Sequence, residues 1–146
     1  MQQRFKILPI VSVILKKDDQ VFLIRCSPQA SFPGAYTLVG GHVDGGETFK
    51  QAAAREAREE IGVEINLEDL TLIHVNNRKR DDGQEIIWLV FLAQKWSGIP
   101  TNKEPHKHDI IGFYHLDNLP TPIRPPFFEE LFKNLCNGSL YSESGW

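Results

Sequence analysis

The chain has 146 residues, which is long enough for one domain with a hydrophobic core. Hydrophobic residues make up 41% and charged residues 24%, proportions that are ordinary for a globular protein. The net charge of −3 gives no basic surface for a nucleic-acid polymer. We therefore expect a single domain over residues 1–146 that acts on a small molecule, as a monomer or a homodimer.

The cysteines and the first apolar segment exclude two further classes of protein. Cys26 and Cys136 form no CxxC pair, so a zinc site is not indicated, and we interpret both as free thiols in a reducing compartment. The apolar run Ile7–Leu15 is too short to cross a bilayer, contains Pro9 and Ser12, and lacks a small-residue cleavage site. We expect a cytoplasmic protein with no membrane partner.

The first elements along the chain are predicted to be strands. Ile7–Leu15 and Val21–Arg25 are apolar and rich in β-branched residues, and the polar residues between them predict a β-hairpin. Ser27–Ala35 contains two prolines and a glycine and is predicted to be a loop. Tyr36–Val39 then reads as a short strand that leads into a pair of glycines.

A helix with clear end signals follows. Thr48 can cap its N-terminus with Gln51 three residues on, which is a capping box, and Gly62 stands where a left-handed C-terminal cap is expected. Between these ends, small apolar residues recur at helical spacing, and they predict a helix that lies close to a sheet. These residues are Ala52, Ala53, Ala57 and Ile61.

The second half of the chain predicts three strands and another helix. Leu70–Val75 and Glu85–Ala93 read as strands joined by the polar segment Asn76–Gln84, and Ile110–Leu116 reads as a third strand. Two prolines then open a helix that Gly138 ends. Its apolar face consists of Phe127, Phe128, Leu131, Phe132 and Leu135. Antiparallel hairpins combined with two helices predict an α+β sandwich.

The first helix carries a cluster of acidic residues. Glu56, Glu59 and Glu60 are related by steps of three and four residues, so a helix places their carboxylates on one face within a single turn. Like charges at that separation repel one another unless a cation lies between them. Mg²⁺ prefers carboxylate oxygens and also binds phosphate oxygens, so the cluster indicates Mg²⁺-dependent chemistry on a phosphate compound. A solvated, charged helix face is the alternative.

The three carboxylates belong to a longer pattern, G-x5-E-x7-R-E-U-x-E-E-x-G-U with U apolar, which runs from Gly41 to Val63. Its seven fixed residues, at an average usage of about 6% each, would match by chance on the order of 10⁻⁹ times per starting point. The pattern resembles the signature of the Nudix hydrolases, the MutT-like family. Ala57 is smaller than the aliphatic residue that the family more often carries there.

The resemblance implies a fold and a set of roles. The fold would be an α/β/α sandwich with a mixed sheet packed between helices. Glu56 and Glu60 would be the principal metal ligands together with the backbone carbonyl of Gly40, and Glu59 would share the metal or act on the attacking water. Arg55 would orient a carboxylate through its guanidinium fork. Glu47 would be either a brace or a direct ligand.

Many relatives take one further acid from a later loop, as a ligand or as a general base. Glu104 occupies a comparable place after the long strand, and a functionless, exposed glutamate is the alternative for it. His106 and His108 lie nearby, but without a third ligand at suitable spacing we interpret both as surface imidazoles.

Other segments narrow the resemblance to small (deoxy)nucleoside triphosphate pyrophosphohydrolases. One of them contains Asn102, Glu104, Pro105 and Lys107. The expected reaction converts a nucleoside triphosphate to a monophosphate and pyrophosphate, with Mg²⁺ or else Mn²⁺ as cofactor, and would suit nucleotide-pool sanitation. Hydrolysis of a nucleoside diphosphate derivative such as ADP-ribose, or non-catalytic nucleotide binding, are the alternatives.

Three residues are candidates for contacts with the substrate. Arg25 at a strand end and Arg78 in the later hairpin can contact phosphates, and Tyr36 can stack on a nucleobase. A solvated charge is the alternative interpretation for each arginine. Trp88 and Phe91 are aromatic residues of the long strand, where packing in the core is the simpler explanation.

Overall fold

The computed structural model describes residues 2–135 and 137–146. A single turn of 3-10 helix precedes the fifth strand, at Leu67–Asp69. The strands and helices in chain order are β1 Leu8–Lys17, β2 Gln20–Cys26, β3 Tyr36–Thr37, β4 Val39–His42, α1 Phe49–Ile61, β5 Leu70–Lys79, β6 Glu85–Ala93, β7 His108–His115, α2 Phe127–Lys133 and β8 Tyr141–Ser144.

The strands form a mixed sheet in the order β3-β2-β1-β6-β5-β8, with β4 paired to β1 and β7 paired to β2. The pairs β1–β6 and β5–β8 are parallel, and the other pairs are antiparallel. β4 lies against the middle of β1, so that Gly40 is opposite Ser12 and Gly41 is opposite Val11. This register places the two glycines at the centre of the fold, beside α1.

The two helices cover opposite faces of the sheet. Alternate residues of β1 point to each side: Val11 and Val13 pack in the cluster that includes the alanines of α1, whereas Ile14 packs with Phe128 of α2. The apolar stripe predicted for α1 is buried at Ala52, Ala53, Ala57 and Ile61. The predicted α+β sandwich, with a mixed sheet packed between helices, is therefore confirmed.

Several element boundaries differ from the sequence predictions. β1 continues to Lys17, and the turn of its hairpin falls at Asp18, whose φ is 53°. The strand predicted over Tyr36–Val39 is two strands that separate at Leu38 and pair with different neighbours. α2 ends at Lys133 with Asn134 as its C-cap, so the prediction that Gly138 ends this helix is wrong, and Leu135 lies beyond it.

The later part of the sheet also differs from the prediction. β5 extends to Lys79, so that half of the polar segment predicted as a connection is paired with β6 instead. β8 was not predicted at all. Its small polar residues gave no strand pattern, yet they pair in parallel with β5 from Val75 to Arg78.

One of the two cysteines lies in the part of the chain that the structure describes. Cys26 is a half-buried free thiol, and burial raises the pKa of that thiol above its ordinary value. Cys136 lies outside the described residues. In the described part of the chain, no helix has both the length and the apolar character needed to span a membrane.

Candidate active site

Both ends of α1 are fixed by the signals that the sequence predicts. The hydroxyl of Thr48 accepts a hydrogen bond from the Gln51 N–H at 3.1 Å, and the Gln51 side chain accepts one from the Thr48 N–H at 2.8 Å. Gly62 adopts the left-handed conformation with φ at 72°, and its N–H donates to the Arg58 carbonyl. The capping-box and C-cap predictions are confirmed, and the helix therefore presents its carboxylates from a fixed frame.

The paired glycines let backbone and carboxylate approach each other closely. A Cβ on Gly40 would lie 2.1 Å from the Val11 carbonyl oxygen, and a Cβ on Gly41 would lie 2.4 Å from Oε1 of Glu56. Both separations are too short for a side chain, so residues other than glycine would displace the strand or the carboxylate. The Glu56 carboxylate therefore lies directly against β4.

Glu60 is a buried carboxylate, with 6% of its surface exposed. Its Oε2 accepts a hydrogen bond from the Gly40 N–H at 3.0 Å. Burial raises its pKa well above the ordinary 4.5, the Gly40 N–H opposes that shift, and the charges of Glu56 and Glu104 add to it. Because the N–H and C=O of one strand residue point to the same edge, the Gly40 carbonyl faces this side as well.

The other two carboxylates of α1 are more accessible. The Glu56 side chain is 13% exposed, and burial raises its pKa, although Arg55 opposes the shift. The charges of Glu59 and Glu104 also raise the pKa of Glu56. The Glu59 side chain is 52% exposed, at the solvent edge of the cluster. The acids predicted on one helical face are thus brought together, with burial increasing from Glu59 to Glu60.

Arg55 connects the acidic residues from one side. Its Nε and Nη2 donate to the two carboxylate oxygens of Glu47 at 3.0 and 2.7 Å. Its Nη1 donates to Glu56 at 3.0 Å and to Glu59 at 3.2 Å, and its Nη2 also donates to the His42 carbonyl. Hydrogen bonding to Arg55 lowers the pKa of Glu47. Glu47 is therefore positioned as a brace of the guanidinium.

A loop that is distant in sequence completes the cluster. The N–H groups of Thr101 and Lys103 donate to the carbonyls of Ile61 and Glu60, in the last turn of α1, at 2.8 and 3.0 Å. This contact places Glu104 where its charge raises the pKa of the neighbouring helical carboxylates. Its own side chain is 17% exposed and lies 2.7 Å from the ammonium of Lys107. Glu104 is therefore half-buried rather than exposed, and its role stays a prediction.

The donor set fits a hard divalent cation, although it is not gathered in ligand geometry. Within residues 2–135 and 137–146, no three acidic, histidine or cysteine side chains meet in such a geometry. Arg55 turns the carboxylates of Glu56 and Glu59 towards itself. The donors are nevertheless all oxygens, and the buried, like-charged pair of Glu56 and Glu60 is the arrangement that a cation stabilises.

The prediction of two surface imidazoles was half wrong. His106 is exposed, whereas His108 is buried with 8% of its surface exposed, and burial lowers its pKa below the ordinary 6.5. The carbonyl of His108 accepts from the Asn102 side chain. His108 is the first residue of β7, and its burial follows from that place in the fold.

The residues predicted to contact substrate lie in three different settings. Arg25 donates through Nε and Nη2 to both carboxylate oxygens of Asp109 at 2.8 Å, so a phosphate would have to compete with that pair. Tyr36 is half-buried and packs edge-on against Tyr114. Arg78 lines a cavity of about 250 Å³ with Phe32, and the ring of Phe32 is 58% exposed.

Trp88 lies near Gly40 on the opposite face of the sheet from α1. Its indole N–H donates to Oγ of the buried Ser12 at 2.9 Å, and Ser12 is the strand partner of Gly40. The indole is partly exposed and contacts the edges of Phe127 and Phe128, whereas Phe91 is buried in the core. An aromatic surface therefore lies beside the backbone that holds Glu60.

Two residues with a clear place in this arrangement had no predicted role. Asn102 and Lys107 both contact Glu104. The side-chain oxygen of Asn102 accepts a hydrogen bond from the Glu104 N–H, and the ammonium of Lys107 contacts the Glu104 carboxylate. The sequence indicates these two residues only through their spacing around Glu104 and Pro105, in the segment that resembles the nucleoside triphosphate pyrophosphohydrolases. Side-chain contacts within a loop cannot be derived from that spacing alone.

The sequence and the fold have relatives among known proteins. The NUDIX domain matches residues 6–135. The chain is 33% identical over 117 residues to the human 8-oxo-dGDP phosphatase NUDT18, covering 79% of this chain and 34% of that protein. It is 31% identical to the ADP-ribose pyrophosphatase of Methanocaldococcus jannaschii, covering 80% of this chain and 68% of that protein.

Two bacterial relatives match over nearly their whole length. The 8-oxo-dGTP diphosphatase of Escherichia coli is 28% identical, and the match covers 83% of this chain and 92% of that protein. The crystal structure of the MutT NUDIX hydrolase from Burkholderia pseudomallei superposes with a TM-score of 0.80 at 28% identity, covering 88% of this chain and 98% of that one. By contrast, the chain spans about a third of the length of NUDT18.

Proposed function

The chain belongs to the Nudix hydrolase family, and from that premise we propose that it hydrolyses a phosphoric anhydride bond in a nucleotide. The proposed substrate is a (deoxy)nucleoside triphosphate, and the products are a nucleoside monophosphate and pyrophosphate. The bacterial 8-oxo-dGTP diphosphatase, matched over 92% of its length, supports this substrate class and a role in nucleotide-pool sanitation.

The observation that carries the proposal is the burial of Glu60 among other carboxylates. A carboxylate with 6% of its surface exposed, held by one backbone N–H and facing Glu56 and Glu104, is a costly arrangement for a fold to maintain. A purely structural helix face would place these charges in water. A reaction on a phosphate compound that binds through a divalent cation would explain why the carboxylates of Glu56, Glu60 and Glu104 lie together away from water.

Nudix hydrolases generally use divalent metal ions, and we propose Mg²⁺ here, with Mn²⁺ as the alternative. Glu56 and Glu60 would hold it, with the Gly40 carbonyl and a share from Glu59. Bound there, the cation would neutralise phosphate charge and lower the pKa of a coordinated water. Arg55 already holds Oε1 of Glu56, which leaves the other carboxylate oxygen for the metal.

The chain's own acids and bases supply the remaining chemistry. Water attacks one phosphorus atom, the anhydride P–O bond breaks, and the leaving pyrophosphate departs with the bonding electron pair. The proton of the attacking water passes to a carboxylate, for which we propose Glu104, with Glu59 as the alternative. Arg55 fixes the orientation of the ligand carboxylates through its contacts with Glu47, Glu56 and Glu59.

The substrate groups would extend from Gly40, on a strand that in the described part of the chain pairs only with β1, around that edge of the sheet to the face that carries Trp88. We propose that the nucleobase packs on the exposed part of that indole, since Trp88 bonds to the strand partner of Gly40. Arg78 beside Phe32 is the proposed contact for phosphate or sugar oxygens. Tyr36 remains a prediction as a further stacking residue, and so does Arg25 as a phosphate contact.

A second candidate function is hydrolysis of ADP-ribose or a related nucleoside diphosphate derivative. It is supported by the ADP-ribose pyrophosphatase relative, of which the match covers 68%. Both reactions break a phosphoric anhydride at the same carboxylates, so only the substrate distinguishes them.

The test is product release from a panel of nucleotides in Mg²⁺. The panel contains the common and oxidised (deoxy)nucleoside triphosphates, ADP-ribose and diadenosine polyphosphates. Glu60→Gln removes the buried charge, and Glu129→Gln, at an exposed position on α2, is the matched control. We expect pyrophosphate from a triphosphate with the unsubstituted and control proteins, and none above background with Glu60→Gln. Activity confined to ADP-ribose would support the second candidate, and unchanged turnover in Glu60→Gln would refute both.

A further inference from the structure

The loop between β6 and β7 contains a group of residues of which the proposed reaction uses only Glu104. The Oδ1 of Asn102 accepts a hydrogen bond from the Glu104 N–H at 3.2 Å. The Nδ2 of the same side chain donates to the His108 carbonyl at 2.7 Å. One amide side chain therefore joins the beginning of the turn that carries Glu104 to its end.

The turn itself brings Lys107 to the Glu104 carboxylate. The N–H groups of Lys107 and His108 both donate to the Glu104 carbonyl, at 2.9 and 3.0 Å. Residues three apart in such a helical turn lie on the same side, and the Lys107 Nζ is 2.7 Å from Oε2 of Glu104. The lysine side chain is 58% exposed and the glutamate side chain 17% exposed, so the ammonium lies on the solvent side of the Glu104 carboxylate.

The backbone of this loop is held on two sides. Thr101 and Lys103 donate to the last turn of α1. The N–H of Ser27 donates to the Lys107 carbonyl at 2.9 Å, and its hydroxyl donates to the His106 carbonyl at 2.8 Å. Together with the Asn102 side chain, these contacts fix the backbone of the turn relative to α1. The torsions of the Glu104 side chain are then the freedom that remains, and the contact with Lys107 removes it.

We propose that Asn102 and Lys107 are positioning residues that hold the Glu104 carboxylate towards Glu56 and Glu60. The inference rests on the function proposed above. Without the ammonium, Glu104 faces two like charges, and repulsion favours a rotamer that points into water. Without the Asn102 side chain, the turn loses the bond that spans it. In both cases the general base leaves the position where it can accept a proton.

Steady-state kinetics on the preferred nucleotide test the proposal. Lys107→Met and Asn102→Ala should each lower kcat roughly 10–100-fold, as loss of an orienting partner does, with little change in KM. Lys107→Arg keeps an ion pair and should restore most of kcat. Lys103→Met is the matched control, because it removes a positive charge from the same loop whereas the bridge to Glu104 is made by Lys107. In a Glu104→Gln background, Lys107→Met should cause no further loss.

A direct contact between Lys107 and a substrate phosphate would give a different pattern. The loss would then persist in the Glu104→Gln background, and it would fall mainly on KM and grow with the number of phosphates. Either observation overturns the positioning role.

Crystal structures of the metal-free Lys107→Met and Asn102→Ala variants provide a readout that does not depend on turnover. We expect the Glu104 carboxylate to be displaced from Glu56 and Glu60 in both. A carboxylate that stays in place in both variants would refute the proposal whatever the kinetics show. If the unsubstituted protein hydrolysed none of the panel nucleotides, the proposed function would fail, and these structures would still decide the positioning of Glu104.

Discussion

Replacing Glu60 with glutamine is expected to stabilise the metal-free protein above the folded pKa of Glu60, although it removes catalysis. Burial is the main reason why the pKa of Glu60 is well above its ordinary 4.5, so the folded state binds this proton more tightly than the unfolded state does. The stability contributed by the protonated group is fully present below the unfolded pKa and is lost as pH rises through the folded pKa. Above the folded pKa of Glu60, the folded protein therefore holds a buried charge that the glutamine variant lacks.

The expected magnitude follows from two opposing effects. Glutamine still accepts the hydrogen bond from the Gly40 N–H, but a bond to a neutral group contributes about 1 kcal/mol less than one to a charged group. Two like charges about 6 Å apart repel by roughly 3 kcal/mol at an effective dielectric constant near 20. Counting only the larger of the two repulsions, from Glu56, the substitution removes about that much. The net gain is about 2 kcal/mol, which raises Tm by roughly 4–8 °C in a protein of this size.

Urea unfolding in EDTA at several pH values between 5 and 8 measures this difference. The free energy of unfolding of Glu60→Gln should exceed that of the unsubstituted protein most at the highest pH, and the gap should narrow as pH falls through the folded pKa of Glu60. Glu129→Gln should show no such gap. A Glu60→Gln variant that is less stable at the highest pH, or a gap that does not change with pH, would refute the account of Glu60 as a strained buried carboxylate.

Three further substitutions have defined outcomes. Arg55→Lys cannot reproduce the planar fork, and we expect about 2–4 kcal/mol of lost stability in urea unfolding and a roughly 10–100-fold lower kcat; wild-type kinetics would contradict this. Gly41→Ala should reduce kcat and Tm because its Cβ meets the Glu56 carboxylate, whereas Gly45→Ala, with nothing within 4 Å of its Cβ, should change neither. His108→Gln should flatten the loss of stability on acidification below pH 6.5, since burial lowers the pKa of His108 and its contribution disappears as pH falls through the folded value; an unchanged slope in urea unfolding would count against it.

The parts of the site that the sequence predicts correctly are those that local signals determine. Thr48 and Gln51 cap the same helix end that they define in the sequence, and Gly62 ends it. The steps of three and four residues between Glu56 and Glu60 are fixed once the helix forms. None of these features depends on a distant part of the chain, and each is confirmed.

The last strand shows why other parts are not predictable. Ser142 and Ser144 on β8 face His74 and Asn76 on β5, and the four side chains are joined by hydrogen bonds of 2.6 to 2.9 Å. His74 and Asn76 are buried, and buried polar groups stabilise a sheet only when each has a partner. Because the partners lie more than sixty residues apart, the sequence near Ser142 reads as a polar tail without strand character.

The ion pair of Arg25 is not predictable for the same reason, because its partner is distant in the sequence. An arginine at a strand end can be interpreted as a phosphate ligand when its surroundings are unknown. The antiparallel pairing of β2 with β7 brings Asp109 beside it, and the two side chains form a bidentate ion pair at 2.8 Å. Sequence separation between the partners is 84 residues, and no local pattern signals the contact.

The way α1 ends connects these local and distant features. The carbonyl groups of the last helical turn need donors, and a helix can take them from water or from its own cap. Here the N–H groups of Thr101 and Lys103 supply two of them, at the carbonyls of Ile61 and Glu60. The residue that follows Lys103 is Glu104, so the contact that satisfies the helix end also delivers the additional acid. The signature from Gly41 to Val63 therefore determines the positions of three carboxylates by itself. The fourth, that of Glu104, is placed by the loop that donates hydrogen bonds to the end of the helix.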